Sequence, residues 1–428
     1  MSPLGIVVLI VLIDLLGFSL VMPLLAPFAE QYGFHEWQIG LLFAAYPLCQ
    51  LIAGPILGRL SDRYGRRPLL IFSQAGTALS FLILGLSRNF TVMLLARMLD
   101  GASGGNILVA QAYVADVTTP ENRAKGMGLI GMAFGLGFVF GPLLGGLLLG
   151  LPVAEGWRLR LPFLVAAGFS TLAWVMVLLR LPESRSSQPE VREKARVLSW
   201  QGLSDTVRAP GIGQLVLLGF LSVLAFAALE GTLSLFLERR MNWNARTASF
   251  VFAGLGFLSA LVQGGLIRRL VPKFGEPRLI VWGIAIVALG FAGVALVSGA
   301  QGLAVALLLV GLGQGLLGPS ISGLLSRITP MSEQGAVFGT LSSAQTLARM
   351  LSYGTSNVLL GRVSSGAPYW FAFVVSVVAA LLALGFLPRL THHLGAGQAA
   401  AEAEGPAAAI GSSGKSRSRK PPISSGSV

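Results

Sequence analysis

The sequence is poor in the residues that soluble catalysis and metal chemistry draw on. Of 428 residues only 11% are charged, 3 are histidines and 1 is a cysteine. The single Cys49 excludes an intrachain disulfide and a thiolate metal cluster. His35, His392 and His393 fall outside the apolar runs, which leaves no histidine metal site or proton relay inside them. There is no GxxxxGK[ST] loop to cradle nucleotide phosphates and no Ser/His/Asp order of a hydrolase. No enzyme activity, metal or cofactor is therefore expected, and any work the chain does draws on an ion gradient.

What is abundant is apolar sequence, 54% of the chain, in recurring runs of about 20 residues, enough to cross roughly 30 Å of hydrocarbon. The expected fold class is an all-α polytopic membrane protein with twelve transmembrane helices. The spans are read at 4–26, 38–58, 68–87, 91–115, 126–150, 161–181, 212–237, 247–268, 278–298, 301–325, 336–361 and 368–388. The first is a retained span rather than a cleaved signal, because it lacks a basic leader and Asp14 interrupts it.

The net charge of +13 does not call for nucleic acid, because the basic residues gather in short loops. Loops after even-numbered spans hold Arg59, Arg63, Arg66, Arg67, Arg123 and Lys125 among others and outweigh the odd-numbered loops, which places them and both termini in the cytoplasm. The division expected is a six-helix bundle over 1–181, a cytoplasmic linker over 182–211 with a surface helix from 188 to 197, a second bundle over 212–390 and a disordered basic tail over 391–428. An internal repeat supports two halves: Gly54 and the Arg63-Tyr64-Gly65 turn recur as Gly264 and Lys273-Phe274-Gly275, an offset of 210. The second copy looks degraded, with Pro272 in place of Asp62 and Glu276 in place of Arg66.

Three constellations carry chemistry. The stretch from Gly54 to Pro68 is a tight turn between spans 2 and 3, in which Gly58 allows close helix approach, Asp62 caps the next helix, and Arg66 and Arg67 stay on the basic side. Inside the spans lie Asp14, Arg97, Asp100, Glu230 and Arg349, each costly in hydrocarbon and so expected to face a polar interior and one another. Arg97 and Asp100 share one helix face; a static ion pair is the other reading of them. Burial favours the protonated form of a carboxyl and a nearby arginine the ionised form, so Asp14 and Glu230 are the candidate proton carriers, tuned by Arg97 and Arg349. In span 5, Gly137, Gly141 and Gly145 flatten a helix that Pro142 bends.

These motifs resemble those of the drug/proton antiporter branch of the major facilitator superfamily, over nearly all of 4–390. The Gln50 to Pro68 run and Ala112-Tyr113-Val114-Ala115-Asp116 are especially similar to the tetracycline/proton antiporters. Where those exporters carry acids in spans 3 and 9 and a histidine in span 8, this chain has Ser80, Val287 and Ser259. Glu230 looks more like the span 7 acid of multidrug exporters. The resemblance implies a cytoplasmic relay of Asp62, Arg66 and Asp116 with Gly65, latching the outward-open state. It also implies two rocking bundles around a cavity lined by spans 1, 4, 7 and 10, and proton-coupled efflux of a lipophilic cation held among Phe18, Tyr46 and Phe226. The alternative is a proton-coupled exporter of a sugar or other metabolite. Partners are then the small molecule, H⁺ and membrane lipid, with no nucleic acid, and a monomer suffices.

Overall fold

The structure is a computed structural model that describes residues 2–184, 211–331 and 333–404, and among these no strand occurs. In chain order, α1 (Pro3–Val21) and α2 (Leu25–Glu30) form span 1, α3 (Glu36–Tyr64) span 2 and α4 (Arg66–Leu86) span 3. Span 4 is α5 (Phe90–Ser103) plus α6 (Asn106–Val117), span 5 is α7 (Pro120–Leu148), and a short α8 (Glu155–Arg158) precedes span 6, α9 (Leu161–Arg180). The second half begins with α10 (Ile212–Met241) and continues with α11 (Ala245–Leu261), a π-helical turn at Val262–Leu266 and α12 (Ile267–Phe274), which together make span 8. Spans 9 to 12 are α13 (Glu276–Leu296), α14 (Ala300–Ile328), α15 (Gln334–Arg362) and α16 (Ala367–Glu404). Eleven of the twelve spans are long and apolar enough to cross a membrane; α15 is not among them. Its serines, Gln345, Thr346, Arg349 and Asn357 dilute it, yet it packs between α3 and α10 and completes two six-helix bundles.

Local chemistry sets the helix starts. Asn89 Oδ1 accepts from the Thr91 and Val92 amides at 2.9 and 3.3 Å, and Asn244 Oδ1 from the Thr247 amide at 3.0 Å. Gly65 and Gly275 make the corresponding one-residue turns after spans 2 and 8, at φ of 101° and 75°, a conformation that a side chain resists. Two spans are broken: span 1 in the turn holding Pro23, and span 4 at Gly104 and Gly105, where one continuous helix was expected.

Hydrocarbon is as apolar as leucine, so close fit rather than water exclusion holds the helices together. Phe28, Phe43, Phe81 and Phe163 fill the first bundle and Phe236, Phe291 and Tyr369 the second, while Leu179, Leu289 and Leu296 stay outside. Gly137, Gly141 and Gly145 of α7 face α1, where a Cβ would meet Leu15, Ser19 and Leu20; Ser19 Oγ donates to the Gly137 carbonyl at 2.7 Å. This is the flattened face expected of span 5.

The halves meet by α3 against α15 and α7 against α11. At the face opposite the basic turns, Ser234 Oγ donates to the Pro23 carbonyl at 2.6 Å and Arg239 pairs with Glu30 and Glu36 at 2.7 and 2.8 Å. At the basic face, the Cβ positions of Gly58, Gly264, Gly335 and Gly339 have open space around them. The ties between the halves thus include bridges at the face opposite the basic turns. A Cβ at Gly58 would meet nothing within 4 Å, so Gly58 carries no close helix approach here, against expectation.

Three further expectations change. Asp62 does not cap the next helix: Glu183, far along the chain, takes the Arg66 and Arg67 amides at 2.9 and 3.1 Å. Asp62 is left to pair with the Arg66 guanidinium at 2.7 Å. The last helix runs on to Glu404 rather than dissolving at 391, because the run of alanines and glutamates before that point favours helix. The surface helix at 188–197 and the basic end of the tail lie outside the described residues.

Candidate functional site

Between the bundles, at the level of the two helix breaks, lies a cavity of about 220 Å³. Asp14, Phe18, Tyr46, Arg97, Asp100, Glu230 and Arg349 all line it. A wider chamber of about 650 Å³ shares Glu230 and Arg349, holds Phe226 and Pro142, and is lined also by Gln263 and Ser322. Spans 1, 4 and 7 contribute as expected, but spans 2, 3, 5 and 11 do so as well. Span 10 lines only the wider chamber, through Gln314, Gly318, Pro319 and Ser322.

The charges are organised in three groups. Arg97 Nη1 donates to Asp100 Oδ2 at 2.9 Å with both side chains fully buried, and Arg97 Nε donates to the Leu42 carbonyl at 3.3 Å. The Arg97 guanidinium also lies 4.9 Å from the Tyr46 ring, which itself stacks at 5.4 Å on Phe18. On the other half, Tyr353 Oη donates to Glu230 Oε2 at 3.0 Å while Arg349 stands 3.8 Å from the same oxygen. The Arg349 side chain is 42% exposed, so this pair is loose and open to the cavity. The third group is Asp14, whose Oδ2 accepts from Asn106 Nδ2 at 2.8 Å and which faces no basic partner among the described residues.

The relay residues form a separate cluster at the basic face. Arg66 binds Asp62 at 2.7 Å, Asp116 Oδ2 at 3.0 Å and Ser61 Oγ at 2.6 Å, and Gly65 supplies the turn. Arg67 is not in the cluster: its Nη2 donates to the Leu178 carbonyl at 2.8 Å. All three charged partners belong to one half, so the cluster is complete within that half. It braces the turn here and does not tie the halves together.

Sequence reasoning missed Tyr353, Asn106 and Gln50. Tyr353 was accessible, since it lies four residues after Arg349 and so on the same helix face. Gln50 Nε2 donates to the Gly104 carbonyl at 3.1 Å, an acceptor that exists only because span 4 breaks there. No pattern in the sequence announces that break beyond the glycine pair itself.

A family profile described as the Major Facilitator Superfamily matches residues 7–352 and 269–423. The class B tetracycline resistance protein of Escherichia coli is 31% identical over 342 residues, covering 79% of this chain and 83% of that one. The major facilitator superfamily domain-containing protein 10 of Bos taurus is 30% identical, covering 89% and 91%. Among solved structures, the human organic anion transporter MFSD10 superposes with a TM-score of 0.68 at 26% identity, covering 89% of this chain and 98% of that one. A bacterial homolog of the lysosomal transporter Spinster, in an inward-facing and occupied conformation, gives 0.73 at 17% identity, covering 91% and 98%.

Proposed function

Because this chain belongs to the major facilitator superfamily and is a membrane transporter, we propose that it exports hydrophobic, cationic small molecules in exchange for protons. The observation that carries this reading is the placement of two carboxyls from opposite halves, Asp14 and Glu230, in one cavity with Phe18 and Tyr46. Aromatic faces and a carboxylate together favour a lipophilic cation. The tetracycline resistance relatives support drug export as the class of activity.

In this reading the basic face is cytoplasmic and the structure corresponds to the inward-open state of a protein in the inner membrane. Cargo enters by the wide chamber past Phe226 and Arg349 and settles against Glu230, displacing the loosely held arginine. Closure of the basic ends and release of the Arg239 clamp expose the cavity to the other side. A proton then neutralises the carboxylate, the cargo leaves, and the protonated carrier returns.

A second reading, export of an organic anion, is favoured by the exposed Arg349 and by the function named for the human relative. Liposomes with an internal pH dye and an imposed proton gradient separate the two. Lipophilic cations should trigger proton movement that Glu230→Gln or Asp14→Asn abolishes. Proton movement triggered only by organic anions, and abolished by Arg349→Ala, would replace the first reading with the second.

A further inference from the structure

The surroundings of Asp14 contain more acceptor oxygen than a single proton can use. Asp14 itself is 8% exposed, Asn106 6% and Gln74 1%, so all three are buried. The acceptor oxygens Asp14 Oδ1, Asn106 Oδ1 and Gln74 Oε1 are buried without a hydrogen-bond donor, while Asn106 Nδ2 donates to Asp14 Oδ2 and the Gln74 amide is turned toward the same carboxyl. Buried polar groups without partners are costly and rare, and three of them around one carboxyl is a cluster rather than an accident.

The backbone points the same way independently. Span 4 breaks at Gly104 and Gly105, beside this cluster, with Asn106 as the first residue of α6. Interrupted helices at mid-membrane bring exposed helix ends and loose carbonyls to bear on ions. The end of α5 and the break after it place Asp100, Gly104 and Asn106 in the same cavity wall as Asp14 and Thr77.

We propose that Asp14, Asn106 and Gln74 form a binding site for a monovalent alkali cation, with sodium as the ion of matching chemistry. All the donors are oxygens, with no thiolate or imidazole, which selects a hard ion over a transition metal. The charge selects its valence. Asp100, the other acid near Asp14, is already neutralised by Arg97 at 2.9 Å, so a single carboxylate remains to balance one positive charge. Glu230 belongs to a different group on the other half, and at Asp14 the sodium ion and the exchanged proton compete for one carboxylate. The site thus adds a second ion to the cavity proposed above, and it shares Asp14 and the cavity's exposure to water with that reading.

The test is radioactive sodium binding to the purified full chain in nanodiscs, at fixed pH and ionic strength with choline as the replacement ion. Wild type should show a single saturable site, displaced by lithium more readily than by potassium. Gln74→Ala and Asn106→Ala should each weaken it by about tenfold or more, and Asp14→Asn should abolish it. Asn106→Asp, which adds a carboxylate without changing shape, should shift preference toward a divalent ion such as calcium. Thermal unfolding with and without sodium guards against misfolding: each variant should keep a cooperative transition but lose the sodium-dependent rise seen in wild type. No saturable binding in wild type, or binding that survives Asp14→Asn, overturns the proposal. Cation-triggered proton movement in sodium-free liposomes is read separately, so a failed sodium site leaves the export reading standing, and the reverse.

Discussion

Replacing Arg239 by alanine should move the molecule away from the conformation described here. Arg239 sits on the second half and reaches across to Glu30 and Glu36 of the first, at 2.7 and 2.8 Å. The three side chains are a quarter to a third exposed, so each pair is partly screened and worth about 0.5 to 1 kcal/mol rather than the value of a buried bridge. Together they contribute about 1 to 2 kcal/mol to the closed face. Since about 1.4 kcal/mol is a factor of ten, the ratio of the two open states should shift by roughly five- to thirtyfold toward opening at this face. Electron paramagnetic resonance distances report it directly, on a background in which Cys49 is replaced by alanine. Labels at Arg63→Cys and Lys273→Cys should move together across the basic face. Labels at Gln31→Cys and Val363→Cys should move apart across the other. Arg239→Lys, which keeps the charge but not the forked geometry, should give an intermediate distribution. If Arg239→Ala left both distributions unchanged, the clamp would contribute nothing to the balance and the bridges would be incidental.

The remaining predictions concern residues inside one half or the cavity. Asp62→Asn should lower transport while leaving expression intact, because Arg66 keeps Asp116 but loses its 2.7 Å partner; transport at the normal rate would remove Asp62 from the working parts. Tyr353→Phe deletes a hydrogen bond to a carboxylate worth about 1.5 kcal/mol or more, so the half-saturating cargo concentration should change about tenfold. An unaltered concentration dependence would show that Tyr353 is only wall. Gly141→Ala drives a methyl group against Ser19 and the α1 backbone, where Leu20 N lies 2.9 Å away, and should cost about 1 to 3 kcal/mol and lower the unfolding temperature. Gly131→Ala, in open space on the same helix, should be silent.

The spans were legible because a membrane imposes length and apolarity on each helix separately, a constraint that needs no knowledge of neighbours. The five charges inside the spans were legible for the same reason: each is too costly unless it faces a cavity, so Asp14, Arg97, Asp100, Glu230 and Arg349 had to converge. What escaped was everything set by the partner. The Glu183 cap depends on a residue brought back by the end of span 6, and Asp62, nearer in sequence, was the natural but wrong choice. Gly58 is bare, a matter of which neighbours reach it, and the residues around it in sequence do not encode that. Span 11 was read at 336–361 and is a helix over Gln334–Arg362, although it is the least apolar of the twelve, because its polar residues face the cavity and its neighbours.

The internal repeat shows how packing can preserve a function that sequence comparison reads as lost. Glu276 stands where Arg66 stands, and the substitution of an acid for a base looks like decay. In the structure Glu276 pairs with Arg327 at 2.9 Å, joining the start of span 9 to the end of span 10. Arg66 pairs with Asp116 at 3.0 Å, joining the start of span 3 to the end of span 4. The bridge is the same with its polarity reversed. Reversal has a consequence at the helix start, where the exposed amides carry positive partial charge and favour an acid. In the second half Glu276 occupies that position itself and supplies the acid from within the bridge. In the first half a base occupies it, so the acid has to come from elsewhere, and Glu183 takes the Arg66 and Arg67 amides. The cap that sequence reasoning misassigned is thus the counterpart of the charge that made the second copy look degraded: each half meets the same electrostatic demand, one with a residue in the turn and the other with a residue from the end of its sixth span.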